Sequence, residues 1–245
     1  MDNQHIASAF DRDLELIQAR IMKMGGLVEA SILDASEALD ARDEELAEKV
    51  RASDRAIDEL ENLINIDAAQ LIALRAPTAV DLRLVLTVIK ISANLERIAD
   101  YAKNMAKRTS VLVQLNPIHG SNAALRRMAR EVQDMLKDAL DAYIQRDAAL
   151  AEEVIQRDRD VDQMYNALFR EFLTFMMEDP RNITACMHLH FIAKNTERMG
   201  DHVTSIAEQV IYLVTGETPE DPRPKKDLTS IDPDVAPIAP AGREA

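Results

Sequence analysis

The 245-residue chain has no tryptophan and only nine other aromatic residues (four Tyr and five Phe), so its core must be aliphatic. Six glycines are too few for an architecture of strands and tight turns. A single cysteine, Cys186, excludes an internal disulfide. Its apolar helical context reads as a small core residue, and the nearby His188 and His190 do not complete a nucleophilic triad. No basic run or stripe offsets a formal net charge of −14, which argues against nucleic acid and anionic lipid as partners. No 18-residue apolar run and no signal-peptide pattern occurs, and the stretch from Met1 to Arg12 is polar and acidic. The sequence therefore predicts a cytoplasmic protein with no direct membrane insertion.

What remains is rich in Ala, Leu, Glu, Arg, Asp and Met, residues that favour helix. The predicted fold class is all-α, with six long helices. The first runs from about Ile6 to Ala41, with Gly25-Gly26 as a candidate kink. The second runs from Glu44 to Leu74 and stops before Pro77, and the third follows Thr78, an expected N-cap, to about Val111. The fourth spans Ser121 to Gln145, the fifth starts after Asp147 and ends before Asp179-Pro180, and the sixth starts after Asn182 and stops near Gly216. Asn116-Pro117 is the clearest break. Residues 1–115 and 116–216 are expected to form one three-helix bundle each. Residues 217–245, rich in proline and poor in apolar residues, read as a disordered tail.

The division rests on an internal repeat. Asn94-Leu95-Glu96-Arg97-Ile98-Ala99-Asp100 returns as Asn195-Thr196-Glu197-Arg198-Met199-Gly200-Asp201, the pattern N-x-E-R-x-x-D. Upstream, Asp54-Arg55-Ala56-Ile57-Asp58 returns as Asp158-Arg159-Asp160-Val161-Asp162. The offsets, 104 and 101, differ by a three-residue indel. The run Arg42 to Val50 also aligns with Arg146 to Val154, so the copies match at helix starts as well as at the acidic motifs.

The third helix carries an apolar stripe of Leu84, Val88, Ile91, Leu95, Ile98, Ala102 and Met105, and the sixth carries Leu189, Ile192, Thr196, Met199, Val203, Ile206, Val210 and Leu213. These are the expected bundle cores. Glu96, Asp100, Glu197 and Asp201 fall away from them at about 100° per residue. Asp54 and Asp58 read as off the second-helix stripe of Val50, Ile57, Leu60, Ile64 and Leu71. Asp158 and Asp162 read the same way against Val154, Val161, Leu168 and Phe175. Each hairpin can thus present four carboxylates: Asp54, Asp58, Glu96 and Asp100 in the first copy, Asp158, Asp162, Glu197 and Asp201 in the second.

Like charges at i,i+4 cost a helix roughly 0.2–0.5 kcal/mol, and four converging carboxylates cost more unless a cation neutralises them. Metal binding in each copy explains the pattern. All-carboxylate ligation suits Fe(III), Mn(II), Mg(II) or Ca(II), whereas zinc normally takes Cys or His. His202 follows Asp201, but Tyr101 is its counterpart, so it reads as a surface residue or a neighbour of the ligands. No Glu-x-x-His pair of the di-iron enzymes occurs. The alternative is a pair of solvated acidic faces, with Arg55, Arg97, Arg159 and Arg198 as surface partners.

Together the doubled N-x-E-R-x-x-D and D-R-x-x-D motifs, the Asp81-Leu82-Arg83 segment and the six-helix organisation resemble the PhoU family, accessory regulators of phosphate-specific transport, from about Phe10 to Thr215. The resemblance implies two antiparallel three-helix bundles side by side, with metal clusters at the eight carboxylates, iron foremost and Mn, Mg and Zn as alternatives. It implies a cytoplasmic homodimer without catalytic activity that restrains phosphate uptake and the starvation response. Its partners would be the ATPase subunit of the phosphate importer and the phosphate sensor histidine kinase. The second copy lacks the Asp-Leu-Arg segment, having Arg181-Asn182-Ile183 nearby, and Tyr165 stands where the first has Glu61. The rivals are a carboxylate-bridged metal-dependent hydrolase or oxidase and a metal-free helical scaffold.

Overall fold

Two short turns set the hairpins. Arg42 and Arg146, equivalent in the repeat, adopt left-handed backbone at φ 54° and 56°, and the aspartate after each caps the next helix. Asp43 Oδ1 accepts from Leu46 N at 2.9 Å, and Asp147 Oδ1 accepts from Ala149 N and Leu150 N at 2.9 and 3.1 Å. The computed structural model describes residues 2–118 and 120–219, with residues 2–9 described by backbone alone. Residues 220–245, most of the expected disordered tail, lie outside the described residues. The helices are α1 (Asp2–Ala41), α2 (Glu44–Arg75), α3 (Ala79–Leu112), α4 (Ser121–Gln145), α5 (Ala148–Glu178) and α6 (Ile183–Thr215), with one 3-10 turn at Pro180–Asn182. Among the described residues there is no strand, and no helix is long and apolar enough to cross a membrane.

Helices α1, α2 and α3 pack on one another, as do α4, α5 and α6, giving the two three-helix bundles expected. The bundles join along two seams, α1 against α4 and α3 against α6, while α2 and α5 lie outside and touch only their own bundle. Both seams are antiparallel. On the first, Arg126 Nη1 donates to Asp40 Oδ2 at 2.7 Å and Gln133 Nε2 to Glu29 Oε2 at 3.4 Å. On the second, contacts run from Asn94–His202 through Met105–Thr196 to Arg108–His188. The repeat thus becomes a pseudo-twofold that exchanges α1 with α4 and α3 with α6.

The expected kink at Gly25-Gly26 is absent as a break: α1 runs unbroken through both. Gly25 is needed for packing instead, because a Cβ there would run into the Leu140 side chain on α4. Thr78 has the extended backbone of an N-cap but makes no side-chain capping bond. The stripes of α3 and α6 are buried throughout.

The stripes of α2 and α5 require a correction. Asp54 and Asp158 do not lie off them; each is only 5% exposed. Asp54 is four residues after Val50 and three before Ile57, so it sits in the helical register of the core, and Asp158 does likewise between Val154 and Val161. Phe172 is the fully buried aromatic of α5, with Phe175 only partly buried. The outer members, Asp58 and Asp162, are exposed as expected.

Arg42 closes the first bundle. Its Nη2 donates to the carbonyls of Leu112, Val113 and Leu115 at 2.9, 2.9 and 2.7 Å, satisfying the free end of α3. Arg146 instead lies beside the Tyr143 ring, 5.6 Å from its centroid.

Candidate metal centres

In the first bundle α2 brings Asp54 and Asp58 to one groove and α3 brings Glu96 and Asp100. Asp54 is buried on the core stripe, Asp58 exposed, and Glu96 and Asp100 half-buried. The four act on one another electrostatically, with Glu61 as a fifth member. Burial pushes the Glu96 carboxyl up to about 7; Asp100 adds to the rise, Arg97 opposes it, and Glu61 and Asp58 add further. Asp58, although exposed, is also raised, first by lost solvent around its carboxyl and next by Asp54, with Lys103 opposing. Glu61 is raised by burial and then by Asp58.

A cation of the chain itself enters this group. Lys103 Nζ donates to Asp54 Oδ2 across the α2/α3 groove and lies 3.6 Å from Asp100 Oδ1. The first cluster is therefore partly neutralised from within. Nothing in the motif spacing pointed to Lys103. The available signal was a difference between the copies, since Thr204 is its counterpart.

In the second bundle Asp158 lies buried beneath α6, against Gly200, where a Cβ would stand 2.9 Å from Asp158 Oδ1. The first copy has Ala99 there. Glu197 is half-buried and coupled to Asp201 and Asp162, both exposed. Burial raises the Glu197 carboxyl, Lys194 opposes the rise, and Asp201 and Asp162 add to it. Lys194 Nζ donates to Glu197 Oε1 at 2.8 Å from the preceding turn of the same helix and lies 5.0 Å from the Tyr165 ring centroid. Ala93 holds its place in the first copy.

Two observations fit a cation at these clusters. Asp54 Oδ1 and Glu197 Oε2 are buried and have no hydrogen-bond partner, a costly condition for carboxylate oxygen. The room above Gly200 is a cradle that a Cβ would fill, and Asp158 occupies it. The donor set is hard oxygen throughout, as Fe(III), Mn(II) or Mg(II) prefer. Among the described residues, however, no three His, Cys, Asp or Glu side chains are drawn into one coordination shell. The helices bring the donors together; in the first cluster Lys103 stands among them, and in the second Lys194 bonds Glu197.

His202 is a joint between the bundles. It is half-buried, its Nδ1 lies 2.8 Å from Asn94 Oδ1, and its ring packs on Tyr101. Burial lowers its pKa; Asp201 pulls it up, and Arg97 and Arg198 push it down. The arginines of both motifs therefore flank the α3/α6 seam between the two clusters. A cleft of about 600 Å³ on the α1/α4 side is lined by Ser36, Arg126 and Arg130 among others, and by none of the eight carboxylates.

A family model described as PhoU domain matches the chain twice, over residues 21–109 and 125–210. The phosphate-specific transport system accessory protein PhoU homolog of Caulobacter vibrioides is 45% identical over 227 residues, covering 93% of this chain and 99% of that protein. The crystal structure of PhoU from Pseudomonas aeruginosa matches with a TM-score of 0.82 at 39% identity, covering 85% of this chain and all of that one (100%). The phosphate transport system regulatory protein PhoU from Streptococcus pneumoniae matches with a TM-score of 0.80 at 30% identity, covering 86% and 99% of the two chains.

Proposed function

The chain belongs to the PhoU family, and on that footing we propose that it is a cytoplasmic, homodimeric regulator that restrains phosphate uptake and the phosphate-starvation response when phosphate is plentiful. It is an accessory protein, as its relatives are named, and not an enzyme. The partners proposed are the ATPase subunit of the phosphate importer and the phosphate sensor histidine kinase. The observation that carries the metal part of this reading is the pair of buried, unpartnered carboxylate oxygens, Asp54 Oδ1 and Glu197 Oε2, one in each repeat.

Asp54, Asp58, Glu96 and Asp100 would hold metal in the first bundle, and Asp158, Asp162, Glu197 and Asp201 in the second, with iron the leading candidate. A bound ion supplies positive charge that lets carboxylates of neighbouring helices lie together. The chain's part is positional. Asp54 and Asp158 are fixed by core packing, whereas Asp58, Asp162 and Asp201 are exposed and Glu96, Asp100 and Glu197 half-buried, and these six would turn toward a common point. Arg97 and Arg198 between the clusters offer the docking face cationic side chains that an acidic partner surface would meet. A metal-free scaffold has one observation in its favour, the Lys103 ammonium in the first cluster.

The test is genetic. Deleting the gene should raise phosphate uptake and switch on a starvation-responsive phosphatase in phosphate-rich medium. The wild-type gene should reverse both effects, and a gene altered at Glu96, Asp100, Glu197 and Asp201 should not. Unchanged uptake and phosphatase in the deletion strain, with importer and kinase intact, would sink the reading.

A further inference from the structure

One strip of the surface runs against the charge of the chain. On the α3/α6 seam, the outward positions of α3 step by threes and fours from Arg83 through Leu86, Lys90 and Arg97 to Arg108 and Val111. Those of α6 step likewise from Met187 through Phe191 and Arg198 to Tyr212. At these steps neither line carries an Asp or Glu, in a chain with 43 acidic residues and a net charge of −14. Lys90, Arg97 and Arg198 are exposed, and so are the apolar Leu86, Val111, Met187 and Phe191. Cations and rings are paired toward both ends. Arg83 and Lys90 lie 5.5 and 5.8 Å from the Tyr212 ring centroid, and Arg108 lies 4.2 Å from that of Phe191. Near the middle, Arg97 and Arg198 both act electrostatically on His202, the joint of the two helices. Leu86 and Met187, Arg97 and Arg198, and Val111 and Tyr212 are repeat equivalents, so the strip reads alike from either end.

We propose that this strip is a docking groove for one acidic amphipathic helix of a partner protein. The inference rests on the reading of the chain as a regulator that docks on partners, and is independent of metal at the carboxylates. Two antiparallel helices present a groove into which a third packs, as within each bundle. The span from Arg83 to Val111 gives the groove a length of about 40 Å, at about 1.5 Å per residue. Its arginines stand near the middle, and Leu86 and Met187 each lie about 15 Å along the axis from the central arginine of their own helix. The complementary helix therefore carries carboxylates at its centre and apolar residues to either side. Arginine, methionine and aromatic residues are the side chains that interface cores favour. The flanks decide against a broader anion. Glu96 and Asp100 border the strip on the α2 side, and Glu197 and Asp201 on the α5 side. A nucleic-acid backbone or an anionic membrane would meet carboxylates on both sides, whereas a helix about 10 Å across fits between them.

The probe is a synthetic helical peptide of about four heptads, with Glu along its centre and Leu toward both ends, titrated with the full chain and read by fluorescence anisotropy. Its controls are the same residues in scrambled order and a twin with Lys in place of Glu. The acidic helix should bind, and both controls should bind at least about tenfold more weakly. Arg97→Glu with Arg198→Glu should weaken binding at least about tenfold, while Arg127→Glu with Arg130→Glu, both exposed on α4, should leave it within about twofold. Should the first pair unfold the chain, Arg97→Gln with Arg198→Gln takes its place, with an expected loss of at least about threefold. In the deletion strain, the gene carrying Arg97→Glu and Arg198→Glu, expressed at the wild-type level, should fail to restore control of the phosphatase. No binding of the acidic helix, equal binding of the scrambled peptide, equal losses from the two arginine pairs, or full restoration by the altered gene overturns the proposal. So does binding of RNA or of phosphatidylglycerol vesicles that the seam substitutions abolish, or a homodimer that they dissociate. A deletion that deregulates uptake and phosphatase, with no helix bound, removes this inference alone. A deletion that changes neither removes the regulatory reading with it.

Discussion

Tyr101 and His202 hold the same position in the two repeats and lie against each other, their ring centroids 5.7 Å apart. The pseudo-twofold therefore passes between them, and the α3/α6 seam is pinned at its centre by two residues that differ where their surroundings match. Asn94 fixes the imidazole from one side. A double-mutant cycle of Tyr101→Ala and His202→Ala in urea should show a coupling of about 0.5–1.5 kcal/mol. Additivity to within about 0.3 kcal/mol would mean that the rings merely adjoin.

Arg42 and Arg146 are repeat equivalents with different tasks. Arg42 donates to three carbonyls at the end of α3, while Arg146 lies beside Tyr143. Hydrogen bonds from a charged donor are worth about 1.5–3 kcal/mol, although one of the three carbonyls, Leu112 O, also accepts from Leu115 N at 3.0 Å. Arg42→Met should therefore cost about 2–3 kcal/mol and Arg146→Met about 1 kcal/mol or less, measured by chemical denaturation. Equal losses would show that the carbonyl clamp adds nothing.

Adjacent glycines in α1 provide a controlled pair. A Cβ at Gly26 meets nothing within 4 Å, whereas one at Gly25 meets Leu140. Gly26→Ala should stabilise the chain by about 0.5–1 kcal/mol, the ordinary helix preference. Gly25→Ala should lose that gain or reverse it, since Leu140 must shift in the tight α1/α4 seam. Equal thermal shifts for the two would contradict the packing role of Gly25.

Most of the fold could be read from the chain, because its period and its breaks agree. Stripes at alternating steps of three and four, and Pro77, Asn116-Pro117 and Asp179-Pro180 as stops, all act locally, and the observed helix ends lie close to them. The caps at Asp43 and Asp147 were not anticipated, whereas Thr78, the expected cap, makes no side-chain capping bond. The carboxylates were harder. Asp54 was read as outside the core because its charge masked its register; its neighbours Val50 and Ile57 place it in line, and the structure buries it. Lys103 was invisible for a different reason. It reaches Asp54 on another helix, 49 residues away in sequence, and such a contact leaves no mark in local spacing. Glycine shows the same limit: Gly25 suggested a kink, but its role depends on Leu140 from the other repeat.

Glu96 gives the metal-free chain a pH signature. Its carboxyl titrates near 7 when folded, against an ordinary value of 4.5. Between those values the folded chain holds more protons than the unfolded one, so this group's contribution to stability falls as pH rises through the window and returns as pH drops. Asp58, Glu61 and Glu197, also raised, act in the same direction. His188, His190 and His202, lowered first by burial, oppose this by favouring unfolding as pH falls below their ordinary 6.5. Comparison with Glu96→Gln separates these effects. The variant should be the more stable protein at about pH 8 and lose most of its advantage by about pH 5. A constant difference across that range would show that Glu96 ionises normally.

The central claim is that paired carboxylates on α2/α3 and α5/α6 are metal sites. Its most direct test is elemental analysis by inductively coupled plasma mass spectrometry. The samples are untagged wild type, purified without chelator, and the variant carrying Glu96→Gln, Asp100→Asn, Glu197→Gln and Asp201→Asn. The account predicts stoichiometric transition metal, iron foremost, in the wild type and none in a variant of unchanged helicity. A wild type that is metal-free and stays so after dialysis against Fe(II) or Mn(II), or a variant that keeps its metal, would contradict it.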